Sequence, residues 1–458
     1  MREKILNKSV AYYIVLFYIY LTISRIIPIS SLIAGKIDII ISSMFAGIGV
    51  LLIILDLVSE RVIFKSKYVL FLISFIIVQI ISAVINSQFG IIDNIKTVIW
   101  TSIHILIIYS FFIRFGKKKG MQLFKIIFNI INFTWMVCSV FSLGQFFLQI
   151  GYHAEENANH LVRQGFIENR LFGVFLDPNF ASIISLCMIF FCIFLYGINK
   201  AKWRKVYSVF CILVHYMYIV LSGSRTVVIC LYAASIIFVG LKVRNYCLKK
   251  MCTIGKKVKF LFASVVITSV IFISMYAICR QALPKFTYEI EKQQHLQKEE
   301  VFEKEKELLH RKDVRKENVL NNRSMIWKEY IKSLKGKDLI FGLSPRNALK
   351  YIQDKYPDSY LAESGYRVHS DYIGVFIYTG LMGSLVIFVY AVLILRKIIN
   401  HIKTKKEISD IYIMSVTLSV ALAIYVLAFL DILFVNTITS AVFWIVMSIV
   451  SDDKLVEP

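Results

Sequence analysis

Apolar runs of about 20 residues, the length a helix needs to cross the hydrocarbon core of a bilayer, recur almost from end to end of this chain. They fall at 9–28, 37–58, 68–87, 95–113, 124–150, 178–198, 205–221, 225–241, 259–279, 371–395, 410–430 and 432–450. The pattern predicts an all-α integral membrane protein of about twelve transmembrane helices, in three parts: helices 1–9 over 1–279, a loop subdomain over 280–370, and helices 10–12 with a tail over 371–458. The last two spans have almost no connector around Asp431, which suits a tight hairpin or a re-entrant element. Two connectors are long, 151–177 and 280–370. In the second, residues 289–320 lack Gly and Pro and are dense in strong helix formers, so a solvated helix is expected. NNRSMIWKEYIKSL (321–334) predicts a capped amphipathic helix with Met325, Ile326, Tyr330, Ile331 and Leu334 on or near one face. GKDLIFGLSPRN (336–347) then turns the chain.

Composition supports the membrane class: 57% of residues are hydrophobic and 18% charged, well outside the soluble range. A net charge of +23 invites a nucleic-acid reading, but its placement decides otherwise. About half of the 53 lysines and arginines lie in six short clusters, at 1–8, 59–67, 114–125, 199–206, 242–259 and 396–406. The intervening short connectors carry few, namely Lys36, Lys96, Arg163 and Arg170. This alternation is the positive-inside pattern. It predicts both termini in the cytoplasm, the large loop extracytoplasmic, and no nucleic-acid partner. The run from Ser9 to about Ile23 leads into Arg25 and Pro28 without a small-x-small cleavage site, as an uncleaved first helix would. The eight cysteines all lie in or beside apolar runs without C-x-x-C spacing; they read as small core residues, not as disulfides or zinc ligands.

No Walker loop, dinucleotide glycine fingerprint, HExxH or nucleophile elbow is present, which argues against an ATP-driven pump. Polar groups at the outer helix ends remain. In RLFGVFLDPNFASIISL, Asp177 suits a helix cap, Pro178 a first turn, and Asn179 follows. A helix start there favours an anion, which Arg170 would help to bind; plain capping with an interfacial arginine is the other reading. In LSGSRTVVICL, Arg225 opens a helix whose dipole it opposes. Function, a structural salt bridge or a lipid-headgroup anchor would each explain it. Arg323 and Trp327 lie in the large loop, and Arg367 and His369 just before the tenth span. A neutral imidazole there suits proton abstraction from a sugar hydroxyl, and guanidinium groups suit a diphosphate; a lone His at a helix start is otherwise a cap or surface residue. His104 and His215 read as bonded core residues or pathway groups. His153 and His160, flanking Glu155 and Glu156, suit an exposed loop or a metal cluster. Tyr351, Tyr356 and Tyr360 are candidates for stacking on sugars.

Taken in order, Arg170 with Gly173 and Asp177-Pro178-Asn179, then Ser222-Gly223-Ser224-Arg225, then a loop with Arg323, Trp327 and Gly342, then His369 before a helix carrying Gly380 and Gly383, resemble the O-antigen polymerase/ligase superfamily over about 170–390. The resemblance implies a type C glycosyltransferase-like fold and an inverting glycosyl transfer without cofactor or metal at the outer face of a bacterial cytoplasmic membrane. The donor would be an oligosaccharide on undecaprenyl diphosphate. The acceptor would be the next lipid-linked unit for a polymerase of capsular, exopolysaccharide or O-antigen type, or a lipid or protein anchor for a ligase. It further implies that His369 and Arg225 are catalytic, that Arg170, Asp177, Asn179, Arg323, Arg367 and Arg163 bind substrate, and that a chain-length regulator and a flippase are partners. Ligases of the superfamily often carry Asn directly after the histidine, where this chain has Ser370. A polymerase is the leading expectation, with a ligase and a polysaccharide flippase as alternatives.

Overall fold

The computed structural model describes residues 2–157, 160–287 and 323–452, with side chains for all of these except 2, 3, 153–157 and 160–162. The helix expected over 289–320 lies outside the described residues. The fold is 79% helical. Among the described residues nine helices are long and apolar enough to cross a membrane, and three shorter apolar ones, Val69–Ile85, Asp410–Tyr425 and Ile438–Ser451, coincide with the remaining expected spans. In chain order the helices are α1 (Arg2–Ile23), α2 (Ile27–Ile33), α3 (Lys36–Val58), α4 (Val69–Ile85), α5 (Ile91–Ser102), α6 (Phe111–Phe147), α7 (Pro178–Ile198), α8 (Lys202–Leu221), α9 (Arg225–Lys249) and α10 (Ile254–Ala282). The large connector contributes α11 (Arg323–Ser333), α12 (Lys337–Phe341), α13 (Ala348–Lys355) and α14 (Tyr360–Ser364). Three more complete the bundle: α15 (Asp371–Thr404), α16 (Asp410–Tyr425) and α17 (Ile438–Ser451).

Three features depart from the hydropathy pattern. Residues 426–437 form an irregular segment between α16 and α17, so the spans expected at 410–430 and 432–450 are each shorter and no tight hairpin joins them. Several of its apolar residues, such as Ile432 and Phe434, are buried, and a hydropathy window cannot tell such a run from helix. The connector at 151–177 builds an antiparallel sheet in the order β1 (Gly151–Asn157), β2 (His160–Ile167), β3 (Arg170–Gly173). Between β2 and β3, Glu168 and Asn169 have φ of +54° and +58°, the two left-handed residues of a type I′ hairpin turn. In α11, Ile326, Tyr330 and Leu334 are buried as expected, whereas Met325 and Ile331 are exposed.

Contacts between the connectors sort them onto two faces. On one, Ile26 bridges Phe175, Asn94 bonds Ser344, Arg170 bonds Ser222, and Asp371 bonds residues 431–433. This loop face carries the candidate site. On the other, Tyr109 donates to the Lys67 carbonyl, Arg114 to Asn7 and Asn245 to the Ile408 carbonyl, and Lys242 pairs with Asp410 and Lys249 with Glu407, so this basic face gathers the cationic clusters. Helix α10 has no buried residue; Phe262, Val270 and Ile273 are each more than half exposed, as befits a helix lying against lipid. His104 and His215 are buried core residues bonded to Asn436 (3.0 Å) and Asn132 (3.2 Å).

Gly342 and Gly380 join the large connector to the bundle. Helix α15 breaks at Gly380, where φ is +63°. A Cβ there would lie 2.3 Å from the Ile340 carbonyl oxygen, and one on Gly342 would lie 2.3 Å from the Tyr378 carbonyl carbon. The break frees carbonyls that lipid cannot satisfy. Leu343 N–H donates to the Ile377 carbonyl (2.8 Å), Ser82 Oγ to the Tyr378 carbonyl (2.7 Å) and Asn86 Nδ2 to the Gly342 carbonyl (3.1 Å).

Near the basic face Arg114 Nη2 and Asp56 Oδ1 form an ion pair of 2.5 Å, with side chains only 2% and 1% exposed. Asp56 also accepts the Ile63 N–H (3.2 Å). Asp56→Ala strands the guanidinium and is expected to cost about 3–5 kcal/mol. The apolar double variant Asp56→Leu with Arg114→Met is expected to recover most of that loss. Unfolding of the purified variants in detergent checks it, and a double variant less stable than Asp56→Ala would contradict it.

Candidate functional site

The I′ turn delivers Arg170 into the protein at the start of β3. Its side chain is buried: Nε donates to the Ser222 carbonyl (3.0 Å), Nη2 to Asn179 Oδ1 (3.0 Å), and the guanidinium lies over the Phe172 ring at 5.6 Å. It is thus not a snorkelling interfacial residue. Segment 172–176 is tied from three sides. Tyr218 donates to the Phe172 carbonyl (3.2 Å), Val174 N–H to Ser142 Oγ (3.1 Å), and Ile27 N–H to the Val174 carbonyl (2.8 Å). Arg163 lies farther out, pairing with Glu168 (3.2 Å) and packing on Phe172 (5.8 Å).

Asp177 caps α7: Oδ1 accepts the N–H groups of Asn179 (2.7 Å) and Phe180 (2.8 Å). This corrects one expectation. The start of α7 is filled by the chain's own carboxylate and is not open to an external anion, since the donors that would bind one are already used. The neighbouring start of α9 is different. Ser224 N–H donates to Ser222 Oγ (3.2 Å), the Ser224 hydroxyl is buried without a partner among the described residues, and Arg225 is exposed. Among the described residues Arg225 makes no side-chain hydrogen bond or ion pair, so a salt bridge does not account for it there.

His369 approaches from the other half of the chain. Its backbone is left-handed, with φ +50°, and the residues around it are held. Trp327 Nε1 donates to the Val368 carbonyl (2.7 Å), Tyr330 Oη to the Tyr366 carbonyl (3.0 Å), and Ser370 caps α15. Solvent reaches the His369 ring, yet partial burial lowers its pKa, as do the cations of Arg323 and Arg367, while Asp177 opposes them. Asp177 therefore lies within electrostatic reach of His369. Arg323 lies 5.2 Å from the Phe429 ring centroid, which stacks on Tyr425 at 4.4 Å.

Three functional-site residues escaped the sequence reading. Asp371, buried, accepts from the N–H groups of Asp431 (3.3 Å), Ile432 (2.9 Å) and Leu433 (3.4 Å). Asp431 itself is pushed up to about 7 by burial, with Arg25 pulling it down and Asp177 pushing it up. Arg25, seen in the sequence only as the end of the first span, lies 5.1 Å from the Phe180 ring. The one available signal was a lone acid, Asp431, between two apolar runs. Tyr351 is excluded from sugar stacking: it is buried and donates to Asp338 (2.8 Å). Tyr356 and Tyr360 are half-buried. Among the described residues no three His, Cys, Asp or Glu side chains gather as metal ligands; the side chains of His153, Glu155, Glu156 and His160 lie outside that description.

The helices and this site define a multi-pass membrane protein with a polar, cation-rich centre on its loop face. Residues 210–388 match the family model of the O-antigen ligases. The match covers less than half of the chain and supports the O-antigen polymerase/ligase superfamily, whose members are glycosyltransferase-type enzymes with lipid-linked oligosaccharide substrates. It includes Arg225, Arg323, Arg367 and His369 and ends before α16; Arg170, Asp177 and Asn179 precede it. No curated protein matches the chain.

A lowered His369 pKa keeps the ring neutral further into the acid range, so activity that needs a neutral imidazole is expected to fall only below the ordinary histidine value of 6.5. Removing a flanking cation by Arg323→Ala raises that pKa and moves the acid limb to higher pH. Initial rates of both proteins across pH check this; a limb that stays or moves down would contradict it.

Proposed function

We propose that this protein polymerises undecaprenyl-diphosphate-linked oligosaccharide repeat units at the outer face of a bacterial plasma membrane, with the loop face outside and the basic face in the cytoplasm. The observation that supports this reading is that His369, under the influence of Arg323 and Arg367, also feels the charge of Asp177, which caps the helix whose Asn179 holds Arg170. The charge partition between the two faces supports the orientation.

In the proposed reaction the growing glycan stays on its lipid diphosphate as donor, and a hydroxyl of the next lipid-linked unit attacks its anomeric carbon. His369 takes the hydroxyl proton as the new glycosidic bond forms. The anomeric C–O bond to the diphosphate breaks, and the leaving oxygen keeps the electron pair. Attack from the opposite side inverts the anomeric centre. Arg225, Arg323 and Arg367 face the charge that grows on the diphosphate, where fixed cations are most effective. Arg170 serves differently. Its bonds to Ser222 and Asn179 brace the turn that presents Arg225, so it positions that arginine. Asp177 and Asn179 suit sugar hydroxyls better than phosphate, because a carboxylate repels an anion. Both substrates are tethered to the membrane, which supplies much of their proximity. A flippase would deliver the units, and a chain-length regulator would act on the product.

The name of the matching family, O-antigen ligase, favours a second reading, transfer to a lipid or protein anchor; Ser370 in place of Asn favours the polymerase. Purified protein with a synthetic undecaprenyl-diphosphate repeat unit of the native strain, without added nucleotide or metal, is expected to give a ladder of chain lengths. His369→Ala is expected to slow it about 10²–10⁴-fold, the usual worth of a general base, and Arg225→Ala to slow it by a comparable factor. A single transfer to an added anchor lipid with no ladder would establish the ligase; no product from folded protein with either acceptor would exclude both.

A further inference from the structure

A polar cavity lies against Leu176. This cleft, about 550 Å³, is formed where α1, α2 and α3 meet, and Leu176 is part of its wall. The Leu176 N–H donates to the Arg25 carbonyl (3.3 Å), and the next residue is Asp177. The wall of the cleft therefore continues directly into the candidate site.

The lining has a chemistry of its own. Tyr20, Ser24, Arg25, Asp38, Trp100 and Asn436 contribute, with further serine hydroxyls. Asp38 Oδ1 accepts from Tyr20 (2.8 Å), and among the described residues its second oxygen accepts no hydrogen bond. Asn436 turns its oxygen to His104 (3.0 Å), so its amide N–H groups remain available. Ser24 and Ser42 donate to helix carbonyls of their own turns (3.2 and 3.1 Å), which leaves their oxygens as acceptors. The half-buried Arg25 guanidinium lies over the Phe180 ring and also acts electrostatically on Tyr20 and Asp431. Arg25 and Asp38 cancel in charge, whereas the reaction site sets Arg225, Arg323 and Arg367 against Asp177. A diphosphate is drawn to the second and repelled by Asp38 in the first. A neutral polyhydroxyl ligand is matched by the first, with donors, acceptors and two aromatic rings converging in one cleft of ordinary small-molecule size.

We propose that the cleft around Arg25, Asp38 and Trp100 is a saccharide-binding subsite, holding glycan residues of a substrate whose reacting end lies beyond Leu176 and Asp177. It rests on the polymerase reading for what the saccharide is, but not for whether the cleft binds one. Such a subsite acts on the substrate without touching the reacting atoms, so losing it raises KM and shortens the chains more than it slows a saturated step.

The test uses the whole purified protein in detergent and the free repeat-unit oligosaccharide of the native strain, without lipid or diphosphate. Binding is read by saturation-transfer NMR and tryptophan fluorescence. The wild type and His369→Ala are expected to bind it equally. Arg25→Ala and the isosteric Asp38→Asn are expected to weaken binding about tenfold each, the loss of one charge-assisted hydrogen bond, and inorganic pyrophosphate is expected not to compete. Asp38→Asn keeps shape and volume, so its thermal unfolding shows whether a loss is local. Undiminished binding by both folded variants, competition by pyrophosphate, or no binding by the wild type would each overturn the subsite. A wild type that binds the saccharide yet extends no chain would instead count against the polymerase reading and leave the subsite standing.

Discussion

The loop face is organised by one buried carboxylate. Asp371 opens α15, its own N–H donates to the carbonyls of Val426 and Phe429 (both 3.1 Å), and its oxygens receive three consecutive N–H groups at 431–433. A buried carboxylate is tolerated where hydrogen bonds replace water, and a buried irregular segment is tolerated where its N–H groups find acceptors. Each requirement is met by the other, so residues 366–371 and 426–437 behave as one unit. His369 belongs to that unit two residues before the carboxylate, in a left-handed conformation that costs a non-glycine residue energy and persists only when its surroundings fix it. Trp327 and Tyr330 supply the rest of the fixing from α11.

The same logic applies where the large connector enters the bundle. A break at Gly380 would leave carbonyls facing lipid; Ser82 of α4 donates to the Tyr378 carbonyl, and Asn86, just past the end of α4, donates to the Gly342 carbonyl at the crossing. The close approach of 340–343 to 377–380 requires glycine at both crossing points. The position of α12–α14 over the bundle is thus set by backbone contact.

The apolar runs were legible because membrane helices are written in consecutive residues, and Asp177, Ser222–Arg225 and His369 were legible because each lies at or beside the end of such a run. What was not legible depends on contacts between distant segments. The β2–β3 hairpin turns on Glu168-Asn169 in place of an Asn-Gly pair, and its strands are too short to register against spans of 20 residues. Asp371 looks like an ordinary acid in the first turn of a helix until 431–433 are placed beside it. Arg170 reads as one more cation for a diphosphate; only its bonds to Ser222 and Asn179 set it apart from Arg225. The cap at Asp177 was readable, but that it closes α7 to other anions follows only from the geometry of its oxygen.

Arg170 also bears on how the site divides its charge. An arginine held by a carbonyl and an amide is fixed before substrate arrives, so it contributes field and shape without reorganising, whereas an exposed arginine such as Arg225 must be ordered by what it binds. On the proposed reaction this division is useful. The diphosphate is bound in the ground state but gains charge at its bridging oxygen only as the glycosidic bond breaks, and cations that tighten at that moment stabilise the transition state more than the substrate. In that proposed reaction the negative charge of Asp177, which reaches His369, opposes too much ground-state binding. It also partly offsets, at His369, the lowering produced by Arg323 and Arg367. One carboxylate, fixed at the start of α7, thereby limits how tightly the leaving group is held and moderates how weak a base the histidine becomes.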